Sequence, residues 1–584
     1  MATEDTSFDY VIVGGGNAGL TIASRLSEQE SVRVAVIEAG NPYEYTSGNF
    51  SSIPGDDVFY NGKDPDDTNP LLDWGFTTTP QAGLGNAVVH YARGKTLGGC
   101  TALNYMGYQR TTKGALQRWA DEVNDQSWVY DNVSQYYNKS LSFAPPDMSK
   151  RIANATPGYD TSTLGSNGPL KLAYPNYAQA ISTWFSKSLE AVGIVPVNGF
   201  TSGALNGSAF LVNAINHTDG NRDSSETAFL RPFLGRPNLS VFNGTLAEKI
   251  VFDGITARGV QVSHGNATKS YLISAAKEVI VSAGAFQSPQ LLQVSGVGPA
   301  ALLKQFGIGI IADRPGVGHG MQDHTFYGIT YRVNVQTGTA INYGDNLQKA
   351  IVQFDTEQAG MLSSPGGDFG AYEKIPEYLR SNFSRAAQQD LATLPSDWPE
   401  LEYFTLPSFV GDFSNPTEGG PTDGYQYATL MAVNIAPMSR GNISISSASM
   451  KNQPLINPNW FTNKTDIEVV IAGFKRLRKI FETPAMNPIT IGPEYYPGAN
   501  VTTDAQILQY IKKAFNTMYH AAASNKMGNI NDDHAVVDSK GRVYGTKNLR
   551  VADVSVFPFV PPGLPMGTVY MVAEKIADDI KSGI

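Results

Sequence analysis

The stretch from Asp9 to Gly40 limits the possible folds more than any other part of the chain. It opens Asp9-Tyr10-Val11-Ile12-Val13-Gly14-Gly15-Gly16-Asn17-Ala18-Gly19 and closes Val34-Ala35-Val36-Ile37-Glu38-Ala39-Gly40. An apolar strand runs into Gly-x-Gly-x-x-Gly. A helix from Ala18 to Leu26 follows, with Leu20, Ala23 and Ser24 on a tight packing face. A second strand then ends in an acid nineteen residues beyond Gly19. Gly14 permits the tight turn, Gly16 lets the backbone approach a pyrophosphate, and Gly19 lets helix and strand pack closely. The helix N-terminus, with Asn17 and Ala18, offers free N–H groups and a partial positive charge to that pyrophosphate. A carboxylate at Glu38 can accept hydrogen bonds from both ribose hydroxyls and repels a 2′-phosphate. Strand, turn, helix, strand and acid in this order predict a bound dinucleotide.

A chain of 584 residues is too long for one core, so two or more domains are expected. The net charge of −10 argues against nucleic acid and anionic membrane as partners. No apolar run approaches the roughly 20 residues of a membrane span. Cys100 is the single cysteine, which excludes an intrachain disulfide and a Cys-rich metal site, and no metal is expected. Asn-x-Ser/Thr occurs at Asn49, Asn132, Asn138, Asn154, Asn206, Asn216, Asn238, Asn243, Asn266, Asn382, Asn442, Asn463 and Asn500. So many acceptors suggest N-glycans and a secreted protein. The start Met1-Ala-Thr-Glu-Asp is acidic and polar, unlike a signal peptide. Either a leader was removed or the protein is intracellular.

Pattern shifts along the chain suggest interleaved domains. Residues 43–80 are rich in Pro, Gly, Asp and Asn and read as loop, and residues 112–143 alternate helical patches with polar turns. Leu239 to Phe242, Gly259 to Val262 and Glu278 to Ala285 return to strand character; the last is a buried strand running into small residues. Phe326 to Val333 and Tyr427 to Val433 show aromatic and β-branched alternation, which predicts an antiparallel sheet. The tail returns to strand at Leu549 to Asp553 and closes with a helix from Met571 to Ile580. The expected class is α/β: a Rossmann-like nucleotide domain interleaved with an α+β substrate domain built on an antiparallel sheet.

Four blocks carry a family resemblance. Gly94-Lys95-Thr96-Leu97-Gly98-Gly99-Cys100-Thr101-Ala102-Leu103-Asn104 resembles the first signature of the glucose–methanol–choline (GMC) oxidoreductases. Gly284-Ala285-Phe286-Gln287-Ser288-Pro289-Gln290-Leu291-Leu292 opens a segment to Gly298 that resembles the second. Pro315-Gly316-Val317-Gly318, ending in Asp323-His324, and the tail Val543 to Ser555 match further family stretches. The resemblance covers residues 8–582, with wording closest to the secreted fungal branch, that of aryl-alcohol oxidase and glucose dehydrogenase. It implies FAD rather than NAD. The FAD-binding domain would comprise residues 1–155, 236–325 and 515–584, and the substrate domain residues 156–235 and 326–514. Asn104, Tyr105 and Met106 would sit beside the isoalloxazine, Ala247 near the adenine and Asp553 near the ribitol. Ala39, Arg93, Gly98, Ala283, Val554, Pro565 and Met566 complete the expected cofactor-binding set. Residues 94–107 contain no histidine of the kind that tethers FAD in some relatives, so non-covalent FAD is expected. Cys100 is expected to be a small buried filler, with flavin tuning as the sharper alternative.

Oxidising an alcohol needs a base for the hydroxyl proton, and the cofactor takes the hydride. The chain has seven histidines. His520, in Tyr519-His520-Ala521-Ala522-Ala523-Ser524-Asn525, carries over from the family as the base. The other six, His324 included, read as structural or surface residues. The family's second catalytic residue, a histidine or asparagine, falls where this chain has Pro561-Pro562-Gly563-Leu564-Pro565. Leu564 holds that slot and can neither donate nor accept a hydrogen bond. Three explanations stay open. The chain oxidises a primary or secondary alcohol, aromatic or otherwise bulky, with His520 alone or helped from elsewhere, passing electrons to oxygen or another acceptor. Or it is a non-redox lyase or cyclase retaining FAD structurally, as family precedents imply. Or it binds flavin with little activity.

Overall fold

The structure, a computed structural model, describes residues 6–265 and 269–583. The start Met1 to Asp5 and the acceptor Asn266 lie outside the described residues. One sheet is built around Thr6–Val13, which has Val34–Ile37 on one side and Ser270–Val281 on the other, both parallel to it. Leu239–Phe242 extends the first side and Leu549–Val551 pairs in parallel with Ser270–Val281. Thr256–His264 and Thr245–Asp253 add an antiparallel edge. Val11, Ile12, Val34, Ala35 and Val36 are fully buried, as the continuous apolar runs of parallel strands require. The two neighbours of Thr6–Val13 leave it in opposite directions, and the carboxyl ends of such strands bound a ligand crevice. Val13, Ile37 and Ser282 line a cavity at that point.

The second sheet is antiparallel throughout, in the order Thr490–Tyr496, Thr325–Val333, Gln426–Asn434, Leu401–Leu406, Phe369–Glu373, Gly207–Phe210. Asn516–Thr517 adds to its Thr325–Val333 strand. Period-two alternation assigns its faces. Tyr327 turns toward the helix Lys464–Phe481 and donates its hydroxyl to the Val470 carbonyl, while Phe326 turns to the other side and lines the cavity. Arg476 of the same helix is bidentate on Glu373, at 2.8 and 2.9 Å. The cavity therefore lies between the nucleotide crevice of one sheet and an apolar face of the other.

Local differences from the sequence reading have simple causes. The strand expected over Glu278 to Ala285 ends at Val281, because Gly284 (φ +81°) begins the helix Gly284–Val294. The last helix begins at Met566 rather than Met571, since Pro565 caps it without needing an N–H. Residues 43–80 hold the short helix Tyr43–Ser47. Asn238 is buried, and its Nδ2 donates to the Ser27, Gln29 and Val32 carbonyls at 3.1, 3.0 and 2.8 Å. It is a loop clamp in the folded chain, with its amide turned inward. No helix among the described residues is long and apolar enough to cross a membrane.

Candidate active site

One cavity of about 820 Å³ brings together segments from both ends of the chain. Of the expected cofactor set, Gly14, Gly16, Asn17, Glu38 and Ala39 line its nucleotide end, with Ala247 beside them. Arg93, Asn104, Tyr105 and Met106 line its middle, facing Ala283, Asp553, Val554, Pro565 and Met566; His520 and Leu564 line it too. Ala18, Gly19 and Gly98 do not. Gly19 acts from behind, because a Cβ there would lie 2.0 Å from the Gly14 carbonyl oxygen. Gly98 (φ +94°) braces the loop, donating to the Gly15 carbonyl at 2.8 Å.

The nucleotide end has the shape of a cradle. Gly14 has φ +110°, and a Cβ there would meet the Ser282 carbonyl oxygen at 2.2 Å. A Cβ on Gly16 would meet nothing nearer than 3.8 Å, so the space before the helix Asn17–Leu26 is open, and Gly16 caps that helix with no side chain. Glu38 accepts from the Gly15 and Gly40 N–H groups, each at 2.8 Å, one per carboxylate oxygen. A second lone pair on each oxygen remains for a ribose diol. Burial pushes the Glu38 carboxyl up to about 7, and the Gly40 and Gly15 N–H groups pull against that shift. Nε and Nη2 of Arg93 are buried without hydrogen-bond partners among the described residues. An open glycine cradle, a half-satisfied acid and an orphaned guanidinium edge fit a flavin dinucleotide.

Asn104 is held from three sides. Its Oδ1 accepts from Arg222 Nη1 at 2.9 Å and from the Met106 N–H at 3.1 Å, and its Nδ2 lies 3.2 Å from Met566 Sδ. Arg222 is buried, which pushes its guanidinium down to about 10 against the pull of Asp57. Asp553 accepts from the Gly284 N–H at 2.8 Å, Ser288 Oγ at 2.6 Å and the Ser555 N–H at 2.8 Å. It thereby ties the second-signature helix to the tail. Cys100 is not the buried filler expected: it is exposed, lines the cavity, and its Sγ lies 3.8 Å from Arg93 Nη1.

At the reacting end, His520 Nδ1 faces His324 Nδ1 at 3.0 Å, with the rings nearly perpendicular. The His520 N–H donates to Asp323 Oδ1 at 3.0 Å, and Asp323 Oδ2 accepts from Trp460 Nε1 at 3.2 Å and Thr517 Oγ1 at 2.5 Å. Arg93 Nη1 donates to the Tyr519 carbonyl at 2.8 Å, and Tyr519 itself is left-handed (φ +59°). The Asp323-His324 pair, read as structural, thus supports His520 directly. Burial, then His324 and Arg93, hold the His520 imidazolium well below the ordinary histidine value; burial pushes His324 down to about 3. Both rings are neutral at pH 7 and share one hydrogen bond. When His520 donates it, His520 Nε2 is a bare base.

Leu564, at the position expected to hold a second polar residue, is tightly packed. Its N–H donates to Gln109 Oε1 at 3.2 Å, and a Cβ on Gly107 would lie 2.5 Å from its Cδ1. The sidechain-free Gly107 makes room for the leucine methyl. Leu211, Phe326, Phe404, Leu406 and Phe413 continue the apolar wall.

Fold and site together define a flavin-dependent oxidoreductase. Residues 8–326 and 437–573 match the N- and C-terminal models of GMC oxidoreductase, and the chain belongs to that family. It is 50% identical over 579 residues to patulin synthase of Penicillium expansum, covering 99% of this chain and 92% of that one. It is 41% identical to versicolorin B synthase of Aspergillus parasiticus, covering 99% and 88%. Among solved structures, an FAD-dependent oxidoreductase from Chaetomium thermophilum superposes with a TM-score of 0.87 at 27% identity, covering 99% of each chain. The cofactor is FAD, and the enzyme acts on alcohol-type donors.

Proposed function

We propose that this enzyme oxidises a bulky organic alcohol, with His520 taking the hydroxyl proton at Nε2. FAD, when bound, supplies the hydride acceptor at flavin N5. The observation that carries the reading is the neutral His520, fixed by Asp323 and His324, opening onto an apolar-walled cavity. A base held neutral needs no prior deprotonation, and the low-polarity wall strengthens its interaction with the developing alkoxide. The aromatic and aliphatic lining favours aromatic or fused-ring alcohols over sugars. Gly14, Gly16, Glu38, Ala39 and Ala247 hold the adenosine diphosphate. Arg93, Asn104 to Met106, Asp553, Val554, Pro565 and Met566 hold the flavin end without a covalent tether. Residues 1–155, 236–325 and 515–584 form the FAD-binding domain and the remainder the substrate domain. The exposed acceptors Asn49, Asn132, Asn154, Asn206, Asn382, Asn442 and Asn500 support a secreted glycoprotein.

A second reading, non-redox ring closure or lyase chemistry, is favoured by Leu564, which removes one polar partner at the reacting carbon. Anaerobic mixing separates the two. Bleaching of the flavin band by an alcohol supports oxidation, and turnover without bleaching overturns it. Reoxidation by air against a dye then distinguishes oxygen from another acceptor.

A further inference from the structure

Behind Leu564 runs a buried polar chain that the reaction as described leaves unused. The Leu564 N–H donates to Gln109 Oε1 at 3.2 Å. Tyr372 Oη lies 2.7 Å from that same Oε1 and 2.6 Å from Glu402 Oε1. All three side chains are buried, and Glu402 sits in the cavity wall among Leu211, Phe326, Phe404 and Leu406. Proton counting orders the chain. Gln109 Oε1 has no proton to give, and the Leu564 N–H fixes which end of the amide faces it. The single proton of Tyr372 therefore lies on its contact with Gln109. The contact between Tyr372 and Glu402 then needs a proton from the carboxyl, which leaves Glu402 Oε2 as a bare acceptor. That oxygen has no hydrogen-bond partner among the described residues.

We propose that Glu402 stands as a neutral carboxylic acid whose Oε2 accepts a hydrogen bond from a second hydroxyl of the substrate, selecting alcohols with an otherwise apolar body. This rests on the reading of the cavity as an alcohol site. Burial, with no cation among the influences on it, pushes the Glu402 carboxyl up to about 7, while the Tyr372 hydroxyl pulls against that shift. Three hydrogen bonds link Glu402 to the Leu564 backbone, and Glu402 lines the same cavity as His520 from the second sheet, so its partner is a different hydroxyl from the carbinol at His520. An unpaired buried acceptor discriminates strongly against a ligand that cannot fill it. The substrate class is thus a diol: one hydroxyl for His520, the other for Glu402.

The benzenedimethanols and the matching methylbenzyl alcohols test this on the FAD-loaded enzyme. Binding is read from perturbation of the flavin band, and turnover from kcat and KM. The native enzyme should prefer the diols by about tenfold or more. Glu402→Gln mimics a neutral acid, with its amide N–H toward Tyr372 and its oxygen toward the cavity, and should keep the preference. Glu402→Leu should abolish it through KM. Equal loss in both variants, or no preference in the native enzyme, overturns the proposal. Infrared difference spectra of native protein and Glu402→Gln should show a protonated carboxyl at neutral pH, and its absence overturns the proposal even if Glu402→Leu fails to fold. Diol-selective binding without bleaching would sink alcohol oxidation but not Glu402. Bleaching by both alcohols alike would do the reverse.

Discussion

His324 and His520 meet Nδ1 to Nδ1 at 3.0 Å, so one proton lies between two rings that are both neutral. Only the arrangement with that proton on His520 leaves its Nε2 free as a base. His324 is thus a positioning residue. His520→Ala should lower kcat by about 10²–10⁴-fold, the usual worth of a general base. His324→Ala should lose less, about 10²-fold at most, with flavin content and circular dichroism unchanged. A loss of flavin instead would mark His324 as merely structural.

The same pair sets a pH dependence. Both histidines are depressed in the folded chain below the ordinary value of about 6.5. Above that value they carry no penalty. Below it the unfolded chain binds more protons, and stability falls by up to about 1.4 kcal/mol per pH unit for each ring. Urea melts from pH 8 to pH 4 should show the loss beginning below about 6.5. The acidic limb of kcat/KM should also lie below about 6.5, because it reports the free enzyme's base. Removing His324 takes away one influence that depresses His520, so the limb should move to higher pH in His324→Ala.

Leu564→His restores a polar group at the second slot, which Gly107 keeps open. A well-placed partner for a developing charge is worth about 10² in rate. Stopped-flow reduction by simple aromatic alcohols should accelerate by about that factor. No gain across a broad panel would show that the slot no longer borders the reacting carbon. Gly107→Ala should push Leu564 toward the substrate and raise KM for bulky alcohols more than for small ones.

Glu38→Ala removes the acceptor of two buried N–H groups, Gly15 and Gly40, at a cost of about 1–3 kcal/mol each, as well as the ribose contact. The flavin-to-protein absorbance ratio after gel filtration should fall well below that of the native enzyme. An unchanged ratio would remove Glu38 from FAD binding.

Asn238→Gln tests the loop clamp. Its three carbonyl partners should make the variant less stable by about 1–3 kcal/mol. Peptide mass spectrometry should find residue 238 unglycosylated in the native protein.

What could be read from the chain in advance follows the range of the interactions involved. The turn at Gly14 and the close packing at Gly19 are legible because both are set by neighbours within one strand–helix–strand unit. The antiparallel sheet was legible in the alternation of Phe326 and Tyr327. The clamp at Asn238 is not legible locally, because a sequon is a three-residue pattern, whereas the carbonyls it holds belong to a turn at residues 27–32. Cys100 was misread because its exposure depends on a cavity that the whole fold encloses. Gln109, Tyr372 and Glu402 are not legible for the same reason: they meet only when the second sheet lies against the segment that follows the first signature. His324 belongs to a recognisable motif, yet its partner stands 196 residues away, and no local spacing joins the two.

The cavity walls come from segments near residues 14, 100, 283 and 553, which the protein already ties to one another through the Gly98 N–H on the Gly15 carbonyl and Asp553 on the Gly284 N–H. FAD bound among them adds its own binding free energy to the native state. Holding the native state by a ligand is worth about 2.7 kcal/mol at a hundredfold excess over Kd, and this grows only with the logarithm of concentration. The melting temperature of this enzyme is then partly a property of its buffer: dialysis against flavin-free solution ages the preparation, and a trace of added FAD protects it without touching a single side chain.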